Sequence, residues 1–225
     1  MGQIAWSYSA LASFETCSRR HMLTRVAKTV VEPESDAIKW GNRVHKALED
    51  YLLRGTPLPE GMESYAKLAD KIAEKAAEPG AELSPERKIA LSDSYKPVEY
   101  FARNVWVRGV LDVSLKKGAN GLIADWKTGK IKPDSDQLKL FAALAFASDP
   151  ELQTVNTVFL WVAEGKVTAE RFVREDATGI WQEFLPRVAR LQMAHQSNKW
   201  PARPSGLCAK WCPCLECEHN GRRGK

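Results

Sequence analysis

The stretch at residues 109–137, GVLDVSLKKGANGLIADWKTGKIKPDSDQ, restricts the possible folds more than any other part of the chain. Two strand-like runs flank a Gly-containing turn, the pattern of an antiparallel pair, and a helix opening near Asp134 follows. Asp112 falls on the first strand, and Asp125 and Lys127 on the second. Strand side chains alternate, so Asp125 and Lys127 share one face and Trp126 takes the other. Two carboxylates and one ammonium are thereby gathered on one rim of a sheet. Carboxylates hold hard divalent cations, and a lysine can orient a water and stabilise developing negative charge, so the set suits phosphodiester hydrolysis. A plain sheet with solvated acids and an outward lysine would use the same residues. The strand–turn–strand–helix context is what favours chemistry.

The flanking sequence supplies helices before this unit and a second strand pair after it. Ser7 and Ser9 are candidate caps for a first helix on which Leu11, Phe14, Cys17 and Met22 recur at near-helical spacing. That places Cys17 about two turns in. A second helix opens at Asp36 and stops at Gly55, with Gly41, His45, Leu48 and Leu52 along one stripe. His45 then reads as either a satisfied core histidine or a ligand. A third, Ala- and Lys-rich helix spans residues 65–78 and is broken by Pro79 and Gly80.

From Glu86 the period turns strand-like, and Glu86 opens the first strand of a three-stranded meander that continues through 97–115 and 121–127. Glu86 either borders a site or is simply exposed. Arg103, Trp106 and Arg108 interleave basic and aromatic side chains beside the Asp112 strand, which fits DNA contact or cross-strand packing. Lys130 and Lys132 follow the turn at Thr128-Gly129 as candidate phosphate contacts. Asp134 or Ser135 caps the next helix, with Gln137 in its first turn. Residues 155–163 and 166–173 form a hairpin across Glu164-Gly165, and a last helix runs from Asp176 to about His195.

A chain of 225 residues with 44% hydrophobic and 27% charged residues has the makeup of a globular protein able to bury a sizeable core. No apolar run is long enough to span a bilayer and the N-terminus does not read as a signal peptide, so the expected location is cytoplasmic. The net charge of +5 permits a polyanionic partner. We expect one domain over 1–225, with a helical portion at 1–80, a core at 81–195 and a Cys-rich tail at 196–225. Of five cysteines, Cys17 stands alone, whereas Cys208, Cys212, Cys214 and Cys217 crowd the tail. In a reducing compartment, such thiolates point to zinc or an iron–sulfur group.

Asp112, a turn, Asp125-x-Lys127-Thr128-Gly129 and Gln137-Leu138 on the next helix resemble the PD-(D/E)XK nuclease superfamily. The likeness is strongest to its RecB-like exonuclease branch, with Leu111 where proline often precedes the first aspartate. The Ser7-x-Ser9-x-Leu11-x-x-Phe14-x-x-Cys17 entry and the Gly41-x-x-x-His45-x-x-Leu48 helix are similar to the same branch.

The resemblance implies a restriction-endonuclease-like α/β core of order αβββαβ, with a mixed central sheet flanked by helices. It also implies metal-dependent cleavage of DNA, with Asp112, Asp125, Lys127 and Gln137 catalytic. Mg²⁺ or Mn²⁺ would be held by His45, Asp112, Asp125 and the backbone carbonyl of Trp126. Phe141 stands where the branch often carries tyrosine, so no hydroxyl is offered there. CRISPR adaptation nucleases and AddB-type helicase–nucleases tie one N-terminal and three C-terminal cysteines around a [4Fe–4S] cluster. On that pattern Cys17, Cys208, Cys212 and Cys217 would be ligands and Cys214 the spare, although the spacing differs from the usual form. Zn²⁺ is the alternative. His219, Arg222 and Arg223 would touch DNA or form a solvated tail.

The function so implied is a DNA exonuclease acting on linear DNA with ends, in phage or prokaryotic recombination or repair, alongside recombination or replication proteins. The competing readings are a non-catalytic DNA-binding or scaffold module that keeps the fold and the cysteine site, and a zinc-stabilised structural protein.

Overall fold

The computed structural model describes residues 4–132 and 136–223. In chain order the elements are α1 (Tyr8–Thr16), α2 (Ser18–His21), a π-helical turn (Met22–Val26), α3 (Asp36–Arg54), α4 (Ala66–Ala76), β1 (Ala81–Leu91), β2 (Val107–Lys117) and β3 (Asn120–Lys127). Then come α5 (Asp136–Ser148), β4 (Thr154–Trp161), β5 (Lys166–Val173), α6 (Asp176–Ser197) and α7 (Leu207–Lys210). The chain divides into two compact units, Met1–Glu34 with Glu183–Lys225, and Ser35–Gln182. Among the described residues no helix is long and apolar enough to cross a membrane.

The Ser35–Gln182 unit is built on a five-stranded sheet in sequential order, β1 to β5. All neighbouring pairs are antiparallel except β3 and β4. A parallel pair needs a crossover, and α5 is that crossover. This is the mixed sheet flanked by helices that the sequence led us to expect.

Strand alternation then sorts the side chains. Trp126, Val158 and Leu160 join Val44 and Leu48 of α3 and Leu68, Ala69 and Ile72 of α4 in one buried cluster. Phe159 and Trp161 instead pack with Leu138 of α5. Helix α3 starts at a Ser35 cap whose side chain accepts from the Ile38 N–H at 3.3 Å. It stops at Gly55, whose φ of 64° lies in the left-handed region that an L side chain resists.

The Met1–Glu34 and Glu183–Lys225 unit is helical. Ser7 caps α1, accepting from the Ala10 N–H. Trp6 stacks on Phe184 with centroids 5.9 Å apart. Arg187 grips Glu15 through two hydrogen bonds of 2.8 and 2.7 Å.

Three local expectations change, and one open alternative is decided. Cys17 is not inside a helix; it is the extended residue between α1 and α2, with φ −163° and ψ 111°. Its position, with Ser13 accepting its N–H, ends α1 and lets the chain restart. Glu86 does not open a strand but lies midway along β1. The strand holding Asp112 begins only at Val107, so Arg103 is exposed on a turn before it. Trp106 is 5% exposed and packed against Tyr95 and Trp181, which leaves it no free face for a base. Apolar burial decided that residue, as it usually does for tryptophan beside a sheet. The caps assigned to Asp134 or Ser135 lie outside the described residues.

Candidate active site

The β2–β3 ladder runs from Lys117↔Asn120 to Val113↔Ala124 and ends there. Asp112 and Asp125 are the next residues on each strand, so they sit where the two backbones part. The Trp126 N–H is met by a side chain: it donates to Asp112 Oδ2 at 2.9 Å. That bond fixes the Asp112 carboxylate at the strand end.

From α3, His45 brings Nδ1 to 3.2 Å from Asp112 Oδ2. Burial pulls the imidazole pKa down. The hydrogen bond to Asp112, the charges of Asp112 and Asp125 and a bond to the Trp126 carbonyl outweigh this and raise it. Gly41, one turn earlier, faces the Thr128 turn, where an added Cβ would lie at ordinary contact distance, 3.4 Å from Thr128 Oγ1.

Glu86 completes this group. It lies opposite Asp112, the one pair missing from the β1–β2 ladder between Pro85↔Val113 and Arg87↔Leu111, which stay in register, and it has a φ of 50°, rare for a residue with a side chain. The distortion brings its carboxylate to His45 and Asp112: one ligand atom from each of the three lies within 4.8 Å of the others. Burial and then the Asp112 charge raise the Glu86 pKa. The position was underweighted in the sequence. Its signal was Pro85 immediately before it, because a proline within a strand marks a break in the ladder.

Asp125 and Lys127 project toward α5, opposite to Trp126. Gln137 at the start of α5 joins them: its Nε2 donates to Asp125 Oδ1 at 2.8 Å, and its Oε1 accepts from Lys127 Nζ at 2.9 Å. Lys127 Nζ also lies 2.5 Å from Asp125 Oδ2 and 4.7 Å from the Phe159 ring centroid. Oδ2 is thus met by the Lys127 ammonium and by no other donor among the described residues. Asp125 is 4% exposed. Burial and the Asp112 charge push its pKa up to about 6 against the opposing pull of Lys127 and His45.

Such a site favours a cation. It combines an imidazole and several carboxylates, a hard donor set that suits Mg²⁺ or Mn²⁺. Of the expected DNA contacts, Lys130 and Lys132 are exposed just after the Thr128 turn. Arg108 lies on β2 four residues before Asp112, and Arg103 stands outside the strand.

In the other unit, Cys17, Cys208, Cys212, Cys214 and Cys217 line one pocket with Arg19, Arg20, Arg203 and His219. Cys17 Sγ accepts from the Arg203 N–H at 3.4 Å, and Cys208 Sγ from the Ser205 N–H at 3.5 Å. Burial, with Cys212 beside it, pushes the Cys214 thiol up to about 12. An all-sulfur donor set among guanidinium groups and backbone donors fits a soft, anionic metal–thiolate group.

A sheet whose parting strands present Asp and Asp-x-Lys beside a metal-capable group has the donors and the lysine that a metal-dependent hydrolytic site would use. The sequence profile of the PD-(D/E)XK nuclease superfamily matches residues 5–217, and the chain belongs to that superfamily. Among solved structures, one described as the crystal structure of SSO0001 is similar, at 14% identity and a TM-score of 0.47, over 96% of this chain and 86% of that one. No curated protein matches this chain.

Proposed function

We propose that this chain is a Mg²⁺- or Mn²⁺-dependent deoxyribonuclease of the RecB-like branch. It would degrade linear DNA from its ends in phage or prokaryotic recombination or repair. The observation that carries the reading is the meeting of His45, Glu86 and Asp112 with the hydrogen-bonded set of Asp125, Lys127 and Gln137. His45, Asp112, Asp125 and the Trp126 carbonyl would hold the cation, and the position of Glu86 adds it to that set. When bound, the cation supplies Lewis-acid activation of the phosphate and charge for the leaving oxygen.

The rest falls to the chain's own groups. Lys127 Nζ, held by Gln137 and Asp125, orients the attacking water and stabilises charge that develops on the phosphoryl oxygens. Gln137 keeps lysine and aspartate in register. Arg103, Arg108, Lys130 and Lys132 would meet backbone phosphates. We read all 225 residues as one functional nuclease domain. Its Cys17, Cys208, Cys212 and Cys217 would carry a [4Fe–4S] cluster that staples the two ends of the chain, with Cys214 held in reserve and Zn²⁺ as the alternative occupant.

The test is degradation of end-labelled linear DNA beside a closed circular control, using anaerobically purified protein with Mn²⁺, Mg²⁺ or EDTA. Metal-dependent loss of the linear substrate alone, abolished by Asp125→Ala and by Lys127→Ala, is the expected result. Binding without cleavage under any metal would replace the enzyme with a scaffold.

A further inference from the structure

The connection from β1 to β2, residues 92–106, is a built platform. It is tied to β1 midway by the Val98 N–H to the Ala90 carbonyl at 3.0 Å and at its end by the Trp106 N–H to the Leu91 carbonyl at 2.8 Å. A tight turn closes between them, with the Ala102 N–H donating to the Glu99 carbonyl at 2.9 Å. Tyr95 and Trp106 of this connection pack together with Trp181, the Trp106 centroid lying 5.5 Å from Tyr95 and 5.8 Å from Trp181.

On the same connection Tyr100 is flanked by two cations: Lys88 Nζ lies 5.8 Å and Arg108 Cζ 5.6 Å from its ring centroid. Phe101 meets Tyr100 edge to face at 5.0 Å and is itself 80% exposed. Lys96 and Arg103 are exposed on the same connection, where Glu99 is the acid between them. An outward phenyl ring beside several cations leaves apolar surface in water, and it has the makeup of a surface that stacks bases and pairs with phosphates. Arg108 is four residues from Asp112 on one strand, which sets the platform about 13 Å along β2 from the candidate metal group.

We propose that Phe101, supported by Tyr100, Lys88 and Arg108, is a stacking platform for single-stranded DNA. Phe101 takes the face of an unpaired base, and Lys88 and Arg108 neutralise the flanking phosphates. A duplex keeps its base faces covered except at its ends, so the platform selects an unpaired strand. The identity of that strand as substrate rests on the nuclease reading above; the stacking itself does not.

The test is fluorescence anisotropy with a labelled 20-residue oligo(dA) single strand and a blunt duplex of equal length, without added divalent metal, so that cleavage plays no part. Phe101→Ala is expected to weaken single-strand binding about ten-fold. Duplex binding is expected to stay within about two-fold, and Phe101→Trp to retain the single-strand affinity. Because Phe101 is exposed, both variants should fold, and circular dichroism checks this. Unchanged single-strand binding by Phe101→Ala, or an equal loss on both DNAs, overturns the proposal. Failure of the wild-type protein to cleave under any metal, with the Phe101 effect intact, overturns the nuclease reading and leaves the platform standing.

Discussion

Replacing Gln137 by methionine isolates the step that links α5 to the catalytic strand. Methionine nearly conserves the volume and chain length, so packing at the start of α5 is kept while both hydrogen bonds go. Gln137 donates to Asp125 Oδ1 at 2.8 Å and accepts from Lys127 Nζ at 2.9 Å. Asp125 is 4% exposed and, among the described residues, its other oxygen is met by Lys127 alone, so the loss leaves a buried carboxylate served only by Lys127. A hydrogen bond to a charged group is worth about 2 kcal/mol. If that support is needed equally in the transition state, the rate falls about thirty-fold. The assay is single-turnover cleavage of end-labelled linear DNA with Mn²⁺, beside urea unfolding of the metal-free protein. We expect both the loss in rate and a destabilisation of about 1–3 kcal/mol. A variant with wild-type rate and wild-type stability would refute the claim that Gln137 positions Asp125 and Lys127.

Other outcomes follow from buried groups elsewhere. His21 is buried with Nδ1 unpartnered, and burial, then Arg25 and His195, holds its pKa at about 4 against an ordinary 6.5. The unfolded chain therefore takes the proton first as pH falls, and stability drops between about pH 6.5 and 4 by up to about 3 kcal/mol. Above that window His21 contributes no slope. Urea midpoints across the range should show a steeper fall for wild type than for His21→Gln, and equal slopes would contradict the assignment. Gly221 packs on α7, where an added Cβ would sit 2.8 Å from the Ala209 carbonyl oxygen, a backbone atom that cannot swing aside. Gly221→Ala should disturb the Gly221 N–H bond to the Cys208 carbonyl and cost about 1–3 kcal/mol. On the iron–sulfur reading it should also lower the iron-to-protein ratio of anaerobically purified protein, which elemental analysis measures.

The strand–turn–strand–helix unit was legible because its signals are local. Alternation put Asp125 and Lys127 on one face and Trp126 on the other, and Gly55 marked the end of α3. Glu86 was harder to see, because its role comes from a ladder break and a left-handed φ rather than from any periodicity. Alternation alone leaves Trp106 open between DNA contact and packing, because the aromatic cluster with Tyr95 and Trp181 that decides it is non-local. The place of Cys17 between two helices was hidden because helical spacing continues through it.

On the proposed reading, His45, Glu86 and Asp112 hold a divalent cation beside Asp125 and Lys127. Electron paramagnetic resonance titration of Mn²⁺ into wild-type protein, Asp112→Asn and Glu86→Gln measures this without requiring cleavage. The account predicts Mn²⁺ bound by wild type, about ten-fold weaker or worse binding in Asp112→Asn, and weakening in Glu86→Gln. Binding equal in all three proteins would contradict it.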